Sequence, residues 1–498
     1  MRKLTKFKAV LSLCLTLIVL LTTEGITAMA DELPYDSYNY DYRKYIHYTP
    51  APYIPERTVT GLNFDFGVDE DGKAYPAQFN NPQDMCQAPN GDIYIADTNN
   101  NRIVVLDSAM KKLIKVITNF QNGEKLDGFK SPNGVCVSER GWLYIADTNN
   151  KRVVVLDEND ELLQIIENPQ SESLDDTFVF NPMKVTVDYA DRVYVIAKNM
   201  FEGIMVFESN GQFTNFFGTI NVEISGWDKF WKRLASKEER ANQQLFIPTE
   251  FTGIDIDPEG FVYASNIDAT GVQAVRRLNP RGEDVIKKGE NENVGGDLQI
   301  DGISEYSGPS QFTDVVYREK GIYSCLDRKR GRIFTYDHEG NLLYIFGGRG
   351  TQEGTFQLPV AVEDIGGRIA ILDATKGAIL CFKETEYGRL INEAVALRFD
   401  GDEAEAVALW ERVLELDENN ELANTGIGKA YLTAGDYEKA MYYLEIGMAR
   451  DYYSIAYKRY RNQILTDNAN WLLSGLVVLI GAWFVIKQVK KKKKGEVE

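Results

Sequence analysis

The chain has 498 residues, of which 44% are hydrophobic and 11% aromatic, and it carries a formal net charge of −19. This length exceeds that of one typical domain and predicts about three. A strongly acidic surface repels phosphate backbones, so the charge excludes nucleic acid as a partner. The hydrophobic fraction is high enough to build packed cores, so folded domains are expected.

The N-terminal thirty residues have the three parts of a secretory signal peptide. A basic stretch, MRKLTKFK, precedes an apolar run and the small-residue motif at Ala28–Ala30. This pattern predicts that residues 1–30 are removed on export. The next segment, residues 31–57, is rich in tyrosine and proline and has no period, so we expect a spacer or a strap along the following domain.

A unit of about fifty residues then repeats along the chain. The stretches IYIADTNNNRIVVLD and LYIADTNNKRVVVLD begin at Ile93 and Leu143. Alternating apolar and polar residues, β-branched side chains and Asn/Asp/Gly turns predict four strands in each unit. Six copies of the central strand are found, around Tyr94, Tyr144, Tyr194, Tyr263, Tyr323 and Ile371.

The six units are predicted to close into a ring. The sixth ends near Lys383 after three strands, whereas Thr58–Phe66 has the pattern of a fourth strand with no unit before it. Placing this N-terminal strand in the last unit protects edges that would otherwise be exposed. The predicted fold is therefore mainly β, a six-bladed β-propeller over residues 58–386.

The repeated motif resembles the NHL repeat, which implies a propeller of the NHL type. In the motif, an aspartate at the end of the second strand accepts turn amides and pairs with an arginine five positions later. We expect such structural joints at Asp97/Arg102, Asp147/Arg152 and Asp327/Arg332. In the third blade, Lys198 is interpreted as the replacement for the aspartate.

Propellers place ligands on the central axis rather than on each blade. At the start of the innermost strand, two positions after the proline, the six blades are read as Asp84, Gly134, Lys184, Gly253, Asp314 and Val360. Asp84, Lys184 and Asp314 belong to alternate blades and are predicted to converge. They form either a recognition site for a glycan or a peptide end, or an ion-paired plug.

One insertion interrupts the ring at residues 226–245. Its apolar residues recur at the spacing of one helical face: Trp227, Phe230, Trp231 and Leu234. We expect a helix that packs on the propeller or acts as a lid or membrane-facing helix near the channel mouth.

From Tyr387 onward the sequence has a helical period. Gly401 and Gly435, like Ala406 and Ala440, are 34 residues apart, which is the period of tetratricopeptide (TPR) repeats. Residues 387–466 are therefore similar to a small TPR-like domain, with a third helix over Tyr453–Leu465. Two repeats are few for independent stability, so docking onto the propeller or a partner is expected.

The C-terminus predicts a membrane anchor. Trp471–Ile486 has no charged residue, and five lysines follow at Lys490–Lys494. This pattern predicts a transmembrane helix over residues 469–489 and a cytoplasmic basic tail over residues 490–498. The mature chain is then a single-pass protein of the cell membrane with its bulk outside the cytoplasm, as suits a Gram-positive bacterial surface.

Few residues of the mature chain suggest catalysis. The histidines, His47 and His338, have no sequence neighbours that would complete a catalytic triad or a zinc site. The cysteines include no CxxC pair and are interpreted as free thiols: Cys86, Cys136, Cys325 and Cys381. No catalytic residue, metal site or cofactor is predicted.

The sequence thus favours a membrane-anchored extracytoplasmic scaffold or binding protein, with a protein partner held by the TPR groove or a propeller face. The alternative is a metal-dependent lactonase of the gluconolactonase or regucalcin kind, with a divalent cation such as Ca²⁺ on the axis. Lys184 would compete with that cation. Metal content and lactone hydrolysis distinguish the two functions.

Overall fold

The computed structural model describes residues 33–495 except 69–71, 170, 172–173, 175–177, 220–249, 269–272, 289–293 and 298–306. The expected signal peptide (residues 1–30) and helical insertion (residues 226–245) lie outside the described residues. The described part forms a six-bladed β-propeller followed by six helices, so the predicted fold class is confirmed.

Three short strands precede the first blade: β1 (Tyr38–Tyr40), β2 (Ile46–Tyr48) and β3 (Tyr53–Thr60). The first blade follows with β4 (Asp84–Gln87), β5 (Ile93–Asp97), β6 (Arg102–Leu106) and β7 (Leu113–Ile117). A hairpin of β8 (Asn119–Asn122) and β9 (Lys125–Gly128) leads to the second blade. That blade contains β10 (Pro132–Val137), β11 (Leu143–Asp147), β12 (Arg152–Leu156) and β13 (Leu162–Ile166).

The remaining blades repeat this antiparallel order. The third contains β14 (Pro182–Val187), β15 (Val193–Ala197), β16 (Ile204–Phe207) and β17 (Phe213–Phe217). The described part of the fourth contains β18 (Phe251–Ile256), β19 (Val262–Asn266) and β20 (Val275–Leu278). The fifth contains β21 (Phe312–Tyr317), β22 (Tyr323–Asp327), β23 (Arg332–Tyr336) and β24 (Leu342–Phe346). The sixth contains β25 (Pro359–Ile365), β26 (Arg368–Asp373) and β27 (Ala378–Glu384).

The ring closes through the N-terminal strand. β3 pairs antiparallel with β27, with Val59 opposite Ile379, and supplies the fourth strand of the sixth blade. The strand lies earlier than the predicted Thr58–Phe66, because the chain turns at Gly61 into a short 3₁₀ segment. Gly61 packs so closely on Ala77 that a side chain would have no room.

The hairpin of β1 and β2 extends the outer edge of the fifth blade, where Tyr38 lies opposite Ile345 of β24. The Tyr38 hydroxyl donates a hydrogen bond of 2.7 Å to Asp297. The guanidinium of Arg332 lies 4.5 Å from the centre of the Tyr38 ring. The tyrosine-rich segment is thus held against the propeller by tertiary contacts. Its sequence has no period that would have predicted them.

The C-terminal part is helical: α1 (Glu386–Asp400), α2 (Glu403–Leu416), α3 (Glu421–Ala434), α4 (Tyr437–Ile446), α5 (Arg450–Asp467) and α6 (Ala469–Gly495). Side chains cap several of these helices; for example, Thr385 accepts the amide of Gly388 at the start of α1. Gly401 and Gly435 end α1 and α3 with φ values of 92° and 83°, a conformation that favours glycine.

The helices share a hydrophobic core with the last two blades. Tyr387 and Ile391 of α1 and Trp410 of α2 belong to the same buried cluster as Phe346 of β24 and Phe382 of β27. The helical region is therefore docked onto the propeller along one side. This cluster is continuous across the boundary between the propeller and the first helices.

The last helix differs from the others because its apolar side chains are not covered by any other described part of the chain. Among the described residues, Ala469–Lys490 is the one stretch long and apolar enough to cross a membrane, with a mean hydropathy of 2.0 and no residue buried. Such exposure is unfavourable in water, which makes this helix a candidate membrane span.

Candidate functional site on the propeller axis

The innermost strands of the six blades contact one another in a closed ring around the axis: β4, β10, β14, β18, β21 and β25. Equivalent register positions on these strands are Asp84, Gly134, Lys184, Gly253, Asp314 and Ala361. The sixth position is Ala361 and not Val360 as predicted, because Pro359 opens the strand and Ala361 pairs with Leu372. Long polar side chains thus alternate with small residues around the axis.

The small residues are required by the close approach of neighbouring strands. A Cβ atom at Gly134 would lie 2.7 Å from the carbonyl oxygen of Met183. At Gly253, a Cβ atom would lie 2.5 Å from the Cα atom of Asp314. Contacts this short are not tolerated, so glycine is required at these two axial positions.

The three predicted axial residues meet in one buried ion cluster. The Nζ atom of Lys184 lies 2.5 Å from Oδ1 of Asp84 and 3.3 Å from Oδ2 of Asp314. All three side chains are buried. Burial lowers the pKa of Lys184, but the charges of Asp314 and Asp84 outweigh this effect and raise it above its usual value.

The two aspartates also satisfy backbone amides of the next blade. Asp84 accepts the N–H of Val135 at 3.0 Å, and Asp314 accepts the N–H of Val362 at 3.1 Å. These amides lie on strand edges that face the axis and have no ladder partner there. The cluster therefore has a structural role that is independent of any ligand. Burial raises the pKa of Asp314 to about 6 despite the nearby ammonium.

A second layer lies two residues further along each innermost strand. Its members are Cys86, Cys136, Thr186, Asp255, Val316 and Glu363. Burial raises the pKa of Asp255 to about 7, even though Asp255 accepts the amide of Tyr317 at 2.6 Å. Burial, followed by the charges of Asp255, Asp314 and Asp84, raises the pKa of Glu363 well above its usual value.

Asp255 and Glu363 were not predicted as axial residues, although the sequence contains a signal for them. Strand side chains that share a face recur every second residue, so the rule that identified Asp84 also places Cys86 on the axis. The thiols of this layer are free, and burial raises the pKa of Cys136 to about 12. Neutral thiols of this kind are poor nucleophiles.

The donor set does not fit a divalent cation between the axial aspartates. The ammonium of Lys184 already occupies the space between the carboxylates of Asp84 and Asp314 and supplies the positive charge there. Within the described residues, no three Asp, Glu, His or Cys side chains are arranged to hold a metal ion. We therefore derive no metal-assisted step at this site.

The repeat joints form within the first two blades. Asp97 is fully buried and accepts hydrogen bonds from the Asn80 amide at 2.7 Å, the Asn100 side chain at 2.8 Å and Nε of Arg102 at 2.7 Å. Asp147 bonds Arg152 at 2.9 Å in the equivalent position. These contacts hold a turn to the strand that precedes it.

Two of the expected joint residues are placed differently. Asp327 accepts from Ser310 at 2.8 Å and lies 3.6 Å from Arg330, while Arg332 lies over the Tyr38 ring. The prediction of an Asp327–Arg332 pair is therefore wrong, because the Arg332 guanidinium packs on Tyr38 of the N-terminal hairpin instead. In the third blade, the register aligns Ala197 with the aspartates, so Lys198 is not the replacement.

The two histidines lie at the border with the helical region. Nε2 of His47 is 3.0 Å from Oδ1 of Asp417, which follows α2. The His338 ring lies edge-on to Phe399 of α1, with centroids 5.2 Å apart. Neither arrangement resembles a catalytic triad.

One acid of the fifth blade connects three helices. Glu339 accepts from Arg398 of α1 at 3.0 Å, Lys429 of α3 at 2.7 Å and Tyr452 of α5 at 3.3 Å. Burial raises its pKa, but the charges of Lys429 and Arg398 outweigh burial and lower it to about 2. This residue could not be identified from sequence, because its partners come from distant segments.

Comparison with known proteins agrees with the fold. The model of the NHL repeat family matches residues 79–106 and 129–156, which fall in the first two blades. Among curated proteins, none matches the chain.

Several solved structures are similar in shape. Virginiamycin B lyase from Staphylococcus aureus is 10% identical, with a TM-score of 0.39 over 70% of this chain and 94% of that one. A protein of unknown function from Bacteroides thetaiotaomicron is 16% identical, with a TM-score of 0.42 over 66% and 75%. A putative gluconolactonase is 13% identical, with a TM-score of 0.38 over 68% and 94%. None of these likenesses bears on function.

Proposed function

We propose that this protein is a membrane-anchored extracytoplasmic binding protein whose propeller and helical repeats together hold a protein partner. The proposal rests mainly on the interface between the propeller and the helices. There Glu339 of the propeller binds three helices, and the two parts share a hydrophobic core. A propeller and a helical array joined in this way present one rigid surface, which is what a scaffold needs.

The TPR-like nature of the helical region is supported by its repeated details. Gly401 and Gly435 end equivalent helices in the same left-handed conformation, and Ala406 and Ala440 are both buried where paired helices meet. Helix pairs of this kind bind proteins through their concave face.

The anchoring role is supported by the exposed apolar helix α6. With the basic stretch at Lys490–Lys494 in the cytoplasm, the propeller and the helical repeats lie outside. The leader at residues 1–30 serves as the export signal for this topology. The partner is then expected at the cell surface, near the bilayer.

The test is crosslinking of the full-length protein in its native membrane, followed by purification and mass spectrometry. We expect a small set of proteins that are absent when an unrelated soluble domain carries the same leader and apolar helix. Crosslinks should map to α1–α5 or to a propeller face. A soluble fragment of residues 31–468 that contains stoichiometric divalent metal and hydrolyses lactones would overturn the scaffold function in favour of the lactonase.

A further inference from the structure

A cavity of about 700 Å³ lies where the β1–β2 hairpin, the fifth blade and the helical region meet. The hairpin loop forms one wall, and the turn before β24 forms a second. The start of α3 and the turn between α4 and α5 complete it. Pockets of this size at a junction between domains are common binding sites.

Glu421, the first residue of α3, is one of three acids that line this cavity. It accepts a hydrogen bond from the Tyr42 amide, and among the described residues no lysine, arginine or histidine forms an ion pair with it. Burial, and then the charge of Asp41, raises the pKa of Glu421 to about 7. A carboxylate held in this way favours a cationic ligand.

The other acids in the cavity wall, Asp41 and Asp417, accept hydrogen bonds from neighbouring groups. Asp41 accepts the amides of Arg43 at 2.9 Å and Tyr45 at 2.8 Å within its own loop. Asp417 is bound by His47 at 3.0 Å and by the Tyr387 hydroxyl at 3.1 Å. A ligand that enters the cavity therefore meets the Glu421 carboxylate together with Asp41, whose Oδ2 atom accepts no hydrogen bond among the described residues.

The basic residues of the loop, Arg43 and Lys44, line the cavity but form no ion pair with Glu421 among the described residues. Arg43 donates from Nε to the Tyr42 hydroxyl at 2.5 Å, and its guanidinium lies 5.0 Å from the centre of the same ring. The charged groups that act on Glu421 are Asp41 and His47.

The rest of the cavity wall is suited to an aliphatic chain. Ile46 of β2 and Met448 of the α4–α5 turn line it and are 47% and 46% exposed. Leu342 and Leu422 line it as well. A ligand with a long apolar stem and a cationic head matches this combination, because the stem covers apolar surface while the head pairs with the acid.

We propose that this cavity binds a lysine or arginine side chain of a protein partner, with the head group on the Glu421 carboxylate and the stem against Ile46 and Met448. The inference deepens the binding function proposed above and rests on it. It assigns recognition to the junction between propeller and helices rather than to the axis.

The proposal predicts a particular dependence on pH. The ligand remains cationic between pH 6 and pH 8, whereas Glu421, with a pKa of about 7, passes from mostly protonated to mostly ionised. Affinity should rise about tenfold over this range. The other charged or titratable groups of the cavity wall include Asp41, Arg43 and Lys44 of the loop, His47 of β2 and Asp417 before α3.

The experiment uses the full-length protein in nanodiscs and three probes: Nα-acetyl-lysinamide, Nα-acetyl-argininamide and Nα-acetyl-norleucinamide. Calorimetry should detect the two cationic probes and not norleucinamide, which has the stem alone. Glu421→Gln should weaken binding about tenfold or more, because a charge-assisted bond is lost. Glu418→Gln, which alters an exposed acid three residues earlier, should change nothing.

Titrations in two buffers of different ionisation enthalpy provide a measurement on the unaltered protein. Binding at pH 7 should release protons as Glu421 ionises. Equal binding of norleucinamide, unchanged affinity in Glu421→Gln, or no binding of either cationic probe would each overturn the inference. If crosslinking still captures a partner in those cases, the binding function stands and only the assignment of the cavity fails.

Discussion

At the scale of single residues, the buried ammonium of Lys184 is the central feature, because it compensates Asp84 and Asp314 at once. Lys184→Met keeps the stem and removes the charge, which leaves two uncompensated carboxyl groups inside the propeller. We expect a loss of about 3–5 kcal/mol of stability at pH 8. Thermal unfolding of the full chain measures it, with Lys198→Met on the same blade as an exposed control.

The loss should shrink as the pH falls toward 5. Protonation removes the charges that Lys184 balances, and the raised pKa of Asp314, about 6 with the lysine present, brings this protonation within reach. A deficit that is constant from pH 5 to pH 8 would mean that Lys184 contributes by packing and not by charge.

Glu363 of the second layer gives an independent pH effect. Its folded-state pKa lies above that of the unfolded chain, so the folded protein binds the extra proton and loses stability as the pH rises above the unfolded pKa. Glu363→Gln mimics the neutral form and should melt like the parent near pH 5. At pH 8 it should be more stable by roughly 1 kcal/mol or more. Glu353→Gln, an exposed change in the preceding corner, is the control.

The axial residues could be found from sequence because a fifty-residue period and a strand start fix the register of each blade. The same period could not reveal that Arg332 lies over Tyr38, since the N-terminal hairpin is outside the repeat. The prediction of Val360 as an axial residue was wrong for a simpler reason. The axial residue lies two positions after the proline, and counting from Pro359 gives Ala361. Local sequence patterns thus predicted the positions of residues on the strands. The side chains that those residues contact depend on distant segments of the chain.

At the scale of elements, strand β3 closes the propeller although it belongs to the N-terminal segment. A chain that starts at Gly61 lacks this strand and leaves the edge of β27 open. We expect it to aggregate, because an exposed edge pairs with other chains. A chain that starts at Ala51 keeps β3 and should remain monomeric in size-exclusion chromatography of the detergent-solubilised protein.

A synthetic peptide of residues 50–62 sharpens this test. Added during refolding of the shortened chain, it should restore a soluble propeller by pairing with β27. Failure of the peptide, together with a soluble chain from Gly61 onward, would show that the ring does not depend on β3.

The closing strand was predicted, but its bounds were not. Thr58–Thr60 are common to the predicted and observed strands, and the strand reaches back to Tyr53 rather than forward to Phe66. Tyr53 is fully buried and stacks on Phe346 of the fifth blade, with centroids 4.9 Å apart. The residues around Tyr53 give no sign of this contact, because Phe346 is almost 300 positions away in the sequence.

At the scale of the whole molecule, Glu339 is a buried polar link between propeller and helices, beside the pairs Lys320–Asp400 and Tyr344–Asn392. Glu339→Gln leaves the buried Lys429 without its counter-charge and leaves Arg398 with Glu403 as its remaining acidic partner. We expect faster hydrogen–deuterium exchange in α3 and α5, with exchange in the first three blades unchanged. Glu319→Gln, an exposed acid of the same blade, should leave every segment as it was.

The hydrophobic contacts between α1 and the sixth blade limit how far this loosening extends. Ile391 is fully buried in the shared cluster, so α1 should keep its slow exchange in Glu339→Gln. Equal acceleration in all helices would indicate that the ion pairs, and not the shared core, hold the two parts together.

The pairing of β3 with β27 also has a consequence for how the chain matures. Val59 and Ile379 become neighbours although almost the whole propeller lies between them in sequence. During synthesis β3 therefore stays unpaired until β27, the last strand of the ring, has been made. Folds with such distant contacts form slowly and pass through states with open edges. A chaperone at the site of folding would therefore bind the chain in the period when β3 is still unpaired.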